Sequence, residues 1–235
     1  MEEDNVEFLF KPRTLTRFFI VIFMVLFVAH IAGWLAISAF DRTFGLYFFD
    51  FTRERSVPAF FSSMTMLFCA ALLATITAAK RRKGGRGYLY WAGLAIVFVY
   101  LSVDEYIGIH EKLSAPVRDA LNTSEFLELA WIIPYGIFVA VFVLMYLRFM
   151  VGLPRRTRLY FILAGVIYVT GAIVLEIVSG RQEALHGRRS FAYVAAVTVE
   201  EGFEIIGIVL FLHALLVYIS SEMDGLQISL PSVKA

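Results

Sequence analysis

Two stretches of this chain, residues 18–40 and 57–79, run for 23 residues each without an Asp, Glu, Lys or Arg. About 20 mainly apolar residues in a helix cross the ~30 Å hydrocarbon core of a bilayer. Every backbone polar group must be satisfied internally there, so two such runs commit the chain to membrane helices. A third run, 129–147, is slightly shorter and contains Pro134 and Gly136, where a kink is expected. Three further runs carry acids. Residues 87–103 are followed by Asp104 and Glu105, residues 159–175 by Glu176, and the last run, about 190–220, holds Glu200, Glu201 and Glu204. The pattern specifies an all-α polytopic membrane protein, a single membrane domain over 1–235. Its six transmembrane helices are expected at about 18–40, 57–79, 87–110, 129–148, 159–179 and 190–220.

Composition agrees. Sixty per cent of the residues are hydrophobic and 17% are charged, against about 25% in soluble domains, and the mean hydropathy is +0.75. Disordered, collagen-like, nucleic-acid-binding and disulfide-scaffold classes are excluded. The single cysteine, Cys69, has no intrachain partner and reads as a small buried hydrophobe. The first span follows an acidic start (Glu2, Glu3, Asp4) and ends without a small-x-small cleavage site, so it is expected to be retained.

Lys and Arg in short loops set orientation. With the N-terminus inside, the inner side holds 13 bases, including Lys80–Lys83 and Arg155, Arg156 and Arg158, and the outer side holds 8. Both termini are therefore expected in the cytoplasm (N-in/C-in). Fourteen of the twenty acids fall on the outer side or in the outer portions of the spans. A short similarity between 86–93 (RGYLYWAG) and 158–165 (RLYFILAG) places Asp104 and Glu176 each 18 residues beyond an arginine, at similar depth.

Ionisable groups within spans cost free energy and mark function or pairing. Glu200 and Glu204 lie on one helix face with Gly207, and Glu204 also neighbours Glu201. His110 is about 120° from Asp104 on an ideal helix, so the two converge only if Gly108 distorts the third span. Asp104 and Glu111 share a face but stand two turns apart. Carboxylates with an imidazole are ligand types for manganese, iron or zinc, and a divalent metal ion is the expected cofactor. The candidate ligands are Asp104, Glu105, Glu176, Glu200 and Glu204, with Glu201, His110 and Glu111 next. The familiar signatures are incomplete: position 107 is Ile where di-iron bundles need Glu-x-x-His, and position 114 is Ser where a zincin needs His. Ser102 before Asp104 invites comparison with ceramidase-like membrane hydrolases, which use more histidines than this chain offers. The expected function is metal-assisted chemistry on a lipid-like substrate. The alternatives are proton or cation transport by the same acids, or a non-catalytic subunit of a larger membrane complex or homo-oligomer. In the last case Arg181, Arg188, Arg189, Arg53 and Arg55 pair with the acids, and Arg181 sits near Glu176.

His30 and His213 lie at mid-span and inner depth. They read as interhelical hydrogen-bonding residues rather than haem ligands. The aromatic outer segment 40–57 reads either as an interfacial lid over the acids or as a belt anchoring two helices. Pro58 suits the first turn of the second span. Asn122-Thr123-Ser124 fits a glycosylation sequon or a helix cap. There is no Gly-rich phosphate loop, and the basic loops need no nucleic acid.

Segments 54–62 (ERSVPAFFS), 101–111 (LSVDEYIGIHE) and 200–207 (EEGFEIIG) resemble an uncharacterised family of bacterial six-helix inner-membrane proteins, over most of the chain. The resemblance implies a bacterial inner (cytoplasmic) membrane and brings no activity with it.

Overall fold

The computed structural model describes residues 11–40, 45–84, 87–121 and 130–223. The 122–124 sequon, Arg86 of the internal similarity and the charged termini lie outside the described residues. The elements are α1 (Pro12–Phe40), a 3₁₀ turn (Leu46–Phe49), α2 (Val57–Arg82), α3 (Tyr88–Ile107), α4 (Ile109–Leu121), α5 (Ile132–Val151), α6 (Arg155–Val169), a π segment (Thr170–Leu175), α7 (Glu176–His186) and α8 (Phe191–Glu222). The α6–π–α7 run is continuous, and six helices are long and apolar enough to cross a membrane.

Local signals explain the ends. Ser56 caps α2 by accepting from the Ala59 N–H at 3.2 Å, with Pro58 in the first turn as its fixed φ favours. Lys80, Arg81 and Arg82 occupy the last turn of α2, where positive charge complements the helix dipole. Pro134, expected inside a span, sits instead in the first turn of α5, because the helix begins at Ile132. It replaces an amide that would have had no intrahelical partner.

Helices alternate in direction, and the contacts at each end show it. At the basic end, Thr16 of α1 bonds His213 of α8 at 2.9 Å, Lys80 lies over the Tyr218 ring, and Trp91 packs on Tyr218, Phe149 and Phe161. The helix α8 is the buried centre of the bundle, with Leu212, Ala214 and Leu215 fully enclosed. A second apolar cluster joins Leu26 of α1 and Phe51 to Val197, Ile205 and Val209 of α8. Outward faces stay apolar, as at Val25, Ile96, Leu144, Leu159 and Ile206. Such surface suits lipid and would aggregate in water.

Small residues set the closest seams, as van der Waals packing requires where lipid is the alternative solvent. Ser63 Oγ donates to the Ser102 carbonyl at 2.6 Å, and Ser102 Oγ donates to the Ser63 carbonyl at 2.8 Å. Ser102 is thus occupied in joining α2 to α3. A Cβ placed on Gly207 would lie 2.8 Å from the Tyr168 backbone nitrogen, and one on Gly171 would lie 2.7 Å from Glu204 Cγ. These two glycines bring the π segment against α8 at the level of the acids. The two span histidines are hydrogen-bonded between helices. His30 Nδ1 accepts from the Phe51 N–H at 3.2 Å, so Nε2 carries the proton shared with Thr198 Oγ1 at 2.9 Å, while His213 meets Thr16.

Candidate functional site

The end of α3 sets the geometry. Gly108 takes the left-handed conformation (φ 64°, ψ 55°) and donates its N–H to the Asp104 carbonyl at 2.7 Å, stopping α3 at Ile107. Only a residue without Cβ adopts this backbone readily. The chain turns and restarts as α4, so the third span is shorter than the sequence pattern implied. The turn delivers His110 to Asp104. The His110 N–H donates to Asp104 Oδ1 at 2.8 Å, and Nδ1 lies 3.2 Å from the same oxygen. The distortion at Gly108 that their convergence required is present.

Asp104 is buried, and its second oxygen accepts from the Tyr135 hydroxyl at 3.1 Å. Tyr135 in turn accepts from Tyr100 at 2.5 Å. Trp131, at the start of α5, packs against the His110 ring at 4.8 Å between centroids. The carboxylate therefore fixes the imidazole through Nδ1 and leaves Nε2 for other partners. Burial alone would pull His110 down. The Asp104 carboxylate at Nδ1 and the charges of Glu176 and Glu54 outweigh it and hold His110 at about 9, above its ordinary 6.5. At neutral pH it is an imidazolium. It supplies one of the positive charges the acids require.

All eight sequence-selected residues line a single cavity of about 1700 Å³: Asp104, Glu105, His110, Glu111, Glu176, Glu200, Glu201 and Glu204. Glu200 and Glu204 are buried on the face of α8 that meets the π segment, and Glu111 is exposed at the mouth. π segments recur at functional sites because the wider turn re-aims the residues beyond it, here Glu176 at the head of α7. Sequence reasoning missed Glu54, Tyr135 and Trp131 as site residues. Glu54 lines the cavity from the segment before α2, and burial, followed by the charge of Glu111, pushes it up to about 7. Its membership of an ERSVP motif adjoining a span was the available signal. In the described part of that outer segment, Asp50, Arg53 and Glu54 form one cavity wall, and Phe51 is buried against His30.

The acids are distributed over the cavity walls rather than gathered on one point. Among the described residues, no three His, Cys, Asp or Glu side chains come close enough to hold a metal ion. As arranged, the described side chains lend no support to the divalent centre expected from their ligand types. Among the described residues, ion pairing with arginine does not account for them either. Arg188 pairs with Glu183 at 2.5 Å and Arg53 with Asp50 at 3.6 Å, both at the rim, and Arg181 is exposed without an ion pair to Glu176. Three polar atoms of residues that line the cavity are buried without a hydrogen-bond partner: Glu54 Oε2, Glu200 Oε2 and Trp131 Nε1. Orphaned buried groups cost about 1–3 kcal/mol each unless something else satisfies them.

From the acids the cavity extends toward the basic end as an apolar cleft. Val97, Phe98 and Leu101 of α3, Phe138, Phe142 and Leu147 of α5, and Ile162, Gly165 and Val169 of α6 line it. The helix α5 is held near its start by Tyr135 and near its end by Tyr146, whose hydroxyl donates to the Tyr90 carbonyl at 2.9 Å. The cleft lies between these two attachments.

No curated protein and no solved structure matches the chain. A family model, the domain of unknown function DUF8692, matches residues 17–219, and the protein belongs to that family.

Proposed function

We propose that this is a bacterial inner-membrane protein, with both termini cytoplasmic, that binds a lipid-like molecule and acts on its polar head with acid–base side chains. The observation that carries the reading is one cavity with two chemistries. A carboxylate and imidazolium compartment at the outer end continues into an apolar cleft deep enough to take a hydrocarbon chain. Its volume of about 1700 Å³ exceeds the few hundred to ~1,000 Å³ of ordinary small-molecule pockets. His110, held by Asp104, is the proton donor nearest the head, and Tyr135 and Tyr100 extend that hydrogen-bonded line toward the bilayer.

Gly165 supplies the test. A Cβ there meets nothing within 4 Å, and the position faces the cleft. Gly165→Phe fills the cleft without disturbing a packed seam. Native mass spectrometry of protein released from its own membrane is expected to show a bound amphiphile, reduced about tenfold or more in Gly165→Phe. Equal occupancy in both proteins rejects the lipid site.

Proton or cation transport is the second reading, supported by the absence of arginine partners for the deep acids among the described residues. Liposome flux that disappears in both Glu200→Gln and Glu204→Gln would favour it. Flux equal to that of protein-free liposomes removes it.

A further inference from the structure

Resting on the lipid-site reading, we infer that the head group this cavity selects is a cation, an ammonium-bearing amphiphile rather than a neutral or anionic one. Two independent observations meet here. The first is charge. Glu105, Glu176, Glu200, Glu201 and Glu204 line one compartment with His110, itself bonded to Asp104, and the arginines and lysine that also line the cavity, Arg53, Arg55, Lys112, Arg188 and Arg189, are all exposed. Carboxylates in a low-dielectric setting need a positive partner or a proton, and a bound ammonium supplies both charge and hydrogen-bond donors. The second is the orphaned atoms. Glu200, with only 8% of its surface exposed, and Glu54 both line the cavity, and each has a buried carboxylate oxygen without a hydrogen-bond partner. These atoms accept hydrogen bonds and, when ionised, do not donate them. An ammonium has three N–H donors, which matches such acceptors, whereas a carboxylate or phosphate head would be repelled by the buried acids. The Trp131 ring beside His110 adds an aromatic surface of the kind that favours cations.

Trp131 is also the reporter. In a Trp34→Phe/Trp91→Phe background it is the sole tryptophan, because the chain has three. In nanodiscs of neutral lipid, its fluorescence would be quenched by three single-chain probes of equal length, each brominated next to the head: an alkyl amine, an alkyl alcohol and an alkyl carboxylate. At equal mole fraction in the bilayer, the amine is expected to half-saturate quenching at a concentration at least tenfold lower than the alcohol, with the carboxylate weakest. Glu200→Gln is expected to shrink the amine preference several-fold and to leave the alcohol unchanged. The ranking in the unsubstituted reporter protein stands as a test by itself if that variant does not fold. Saturable quenching with no preference for the amine overturns the cation inference and leaves the lipid site intact. The absence of saturable quenching by any probe overturns both.

Discussion

Gly207→Val is expected to cost about 3 kcal/mol or more of stability and to dismantle the acid compartment. The added Cβ would meet the Tyr168 backbone nitrogen at 2.8 Å and its Cα at 2.9 Å, so no side-chain rotation relieves the contact. Overpacking that flexible side chains absorb typically costs 1–3 kcal/mol; where the obstacle is backbone, the helices themselves must separate. The displaced element is α6 with its π segment, which carries Gly171 against Glu200 and Glu204. Equilibrium unfolding in mixed micelles, compared with Gly165→Phe, provides the measurement. The larger substitution at the open glycine should leave the midpoint nearly unchanged, and the smaller one at Gly207 should lower it strongly. Equal midpoints would mean that the α6–α8 seam is not this close.

Stability is also expected to fall as pH rises from about 4.5 to about 9. Burial and the neighbouring Glu111 raise Glu54 from 4.5 to about 7, so the folded state holds this proton more tightly than the unfolded chain. Its contribution is complete below 4.5 and is lost as pH climbs toward 7. His110 is also raised, against the pull of burial, by Asp104, Glu176 and Glu54, and it continues the trend: its contribution is complete below 6.5 and is lost on passing about 9. The two limbs can be separated. Glu54→Gln should flatten the lower one, and Asp104→Asn, which removes the charge while keeping an acceptor for the His110 N–H, should flatten the upper one. In Asp104→Asn the His110 pKa, followed by NMR of labelled histidine, should drop from about 9 toward its ordinary 6.5. An unfolding midpoint that rises across this window, or a His110 pKa indifferent to Asp104, contradicts the dyad.

The six helices long and apolar enough to cross a membrane were legible in the sequence because bilayer thickness imposes a length on apolar runs. The acids singled out by their cost within spans do share one cavity, since groups that lipid rejects are driven inward from every helix that carries them. Their mutual geometry was undecided at the level of sequence. A left-handed Gly108 converts His110 from a residue on the wrong side of a helix into the partner of Asp104, and a π segment at Thr170–Leu175 precedes Glu176. Neither break has a hydrophobic period to announce it. Glu54 lay in an aromatic segment whose two readings differed only in how the chain folds back, and nothing in the sequence set Tyr135 and Trp131 apart from the chain's many other aromatic residues. Membership of the site was fixed by the expense of polar groups in hydrocarbon, a local property that one residue carries alone. Whether the acids gather on an ion or spread around a cavity was fixed by how closely α3, α5, α6 and α8 approach. That distance is set by glycines, serines and tyrosines at seams between helices distant in sequence, and only the tertiary structure decided it.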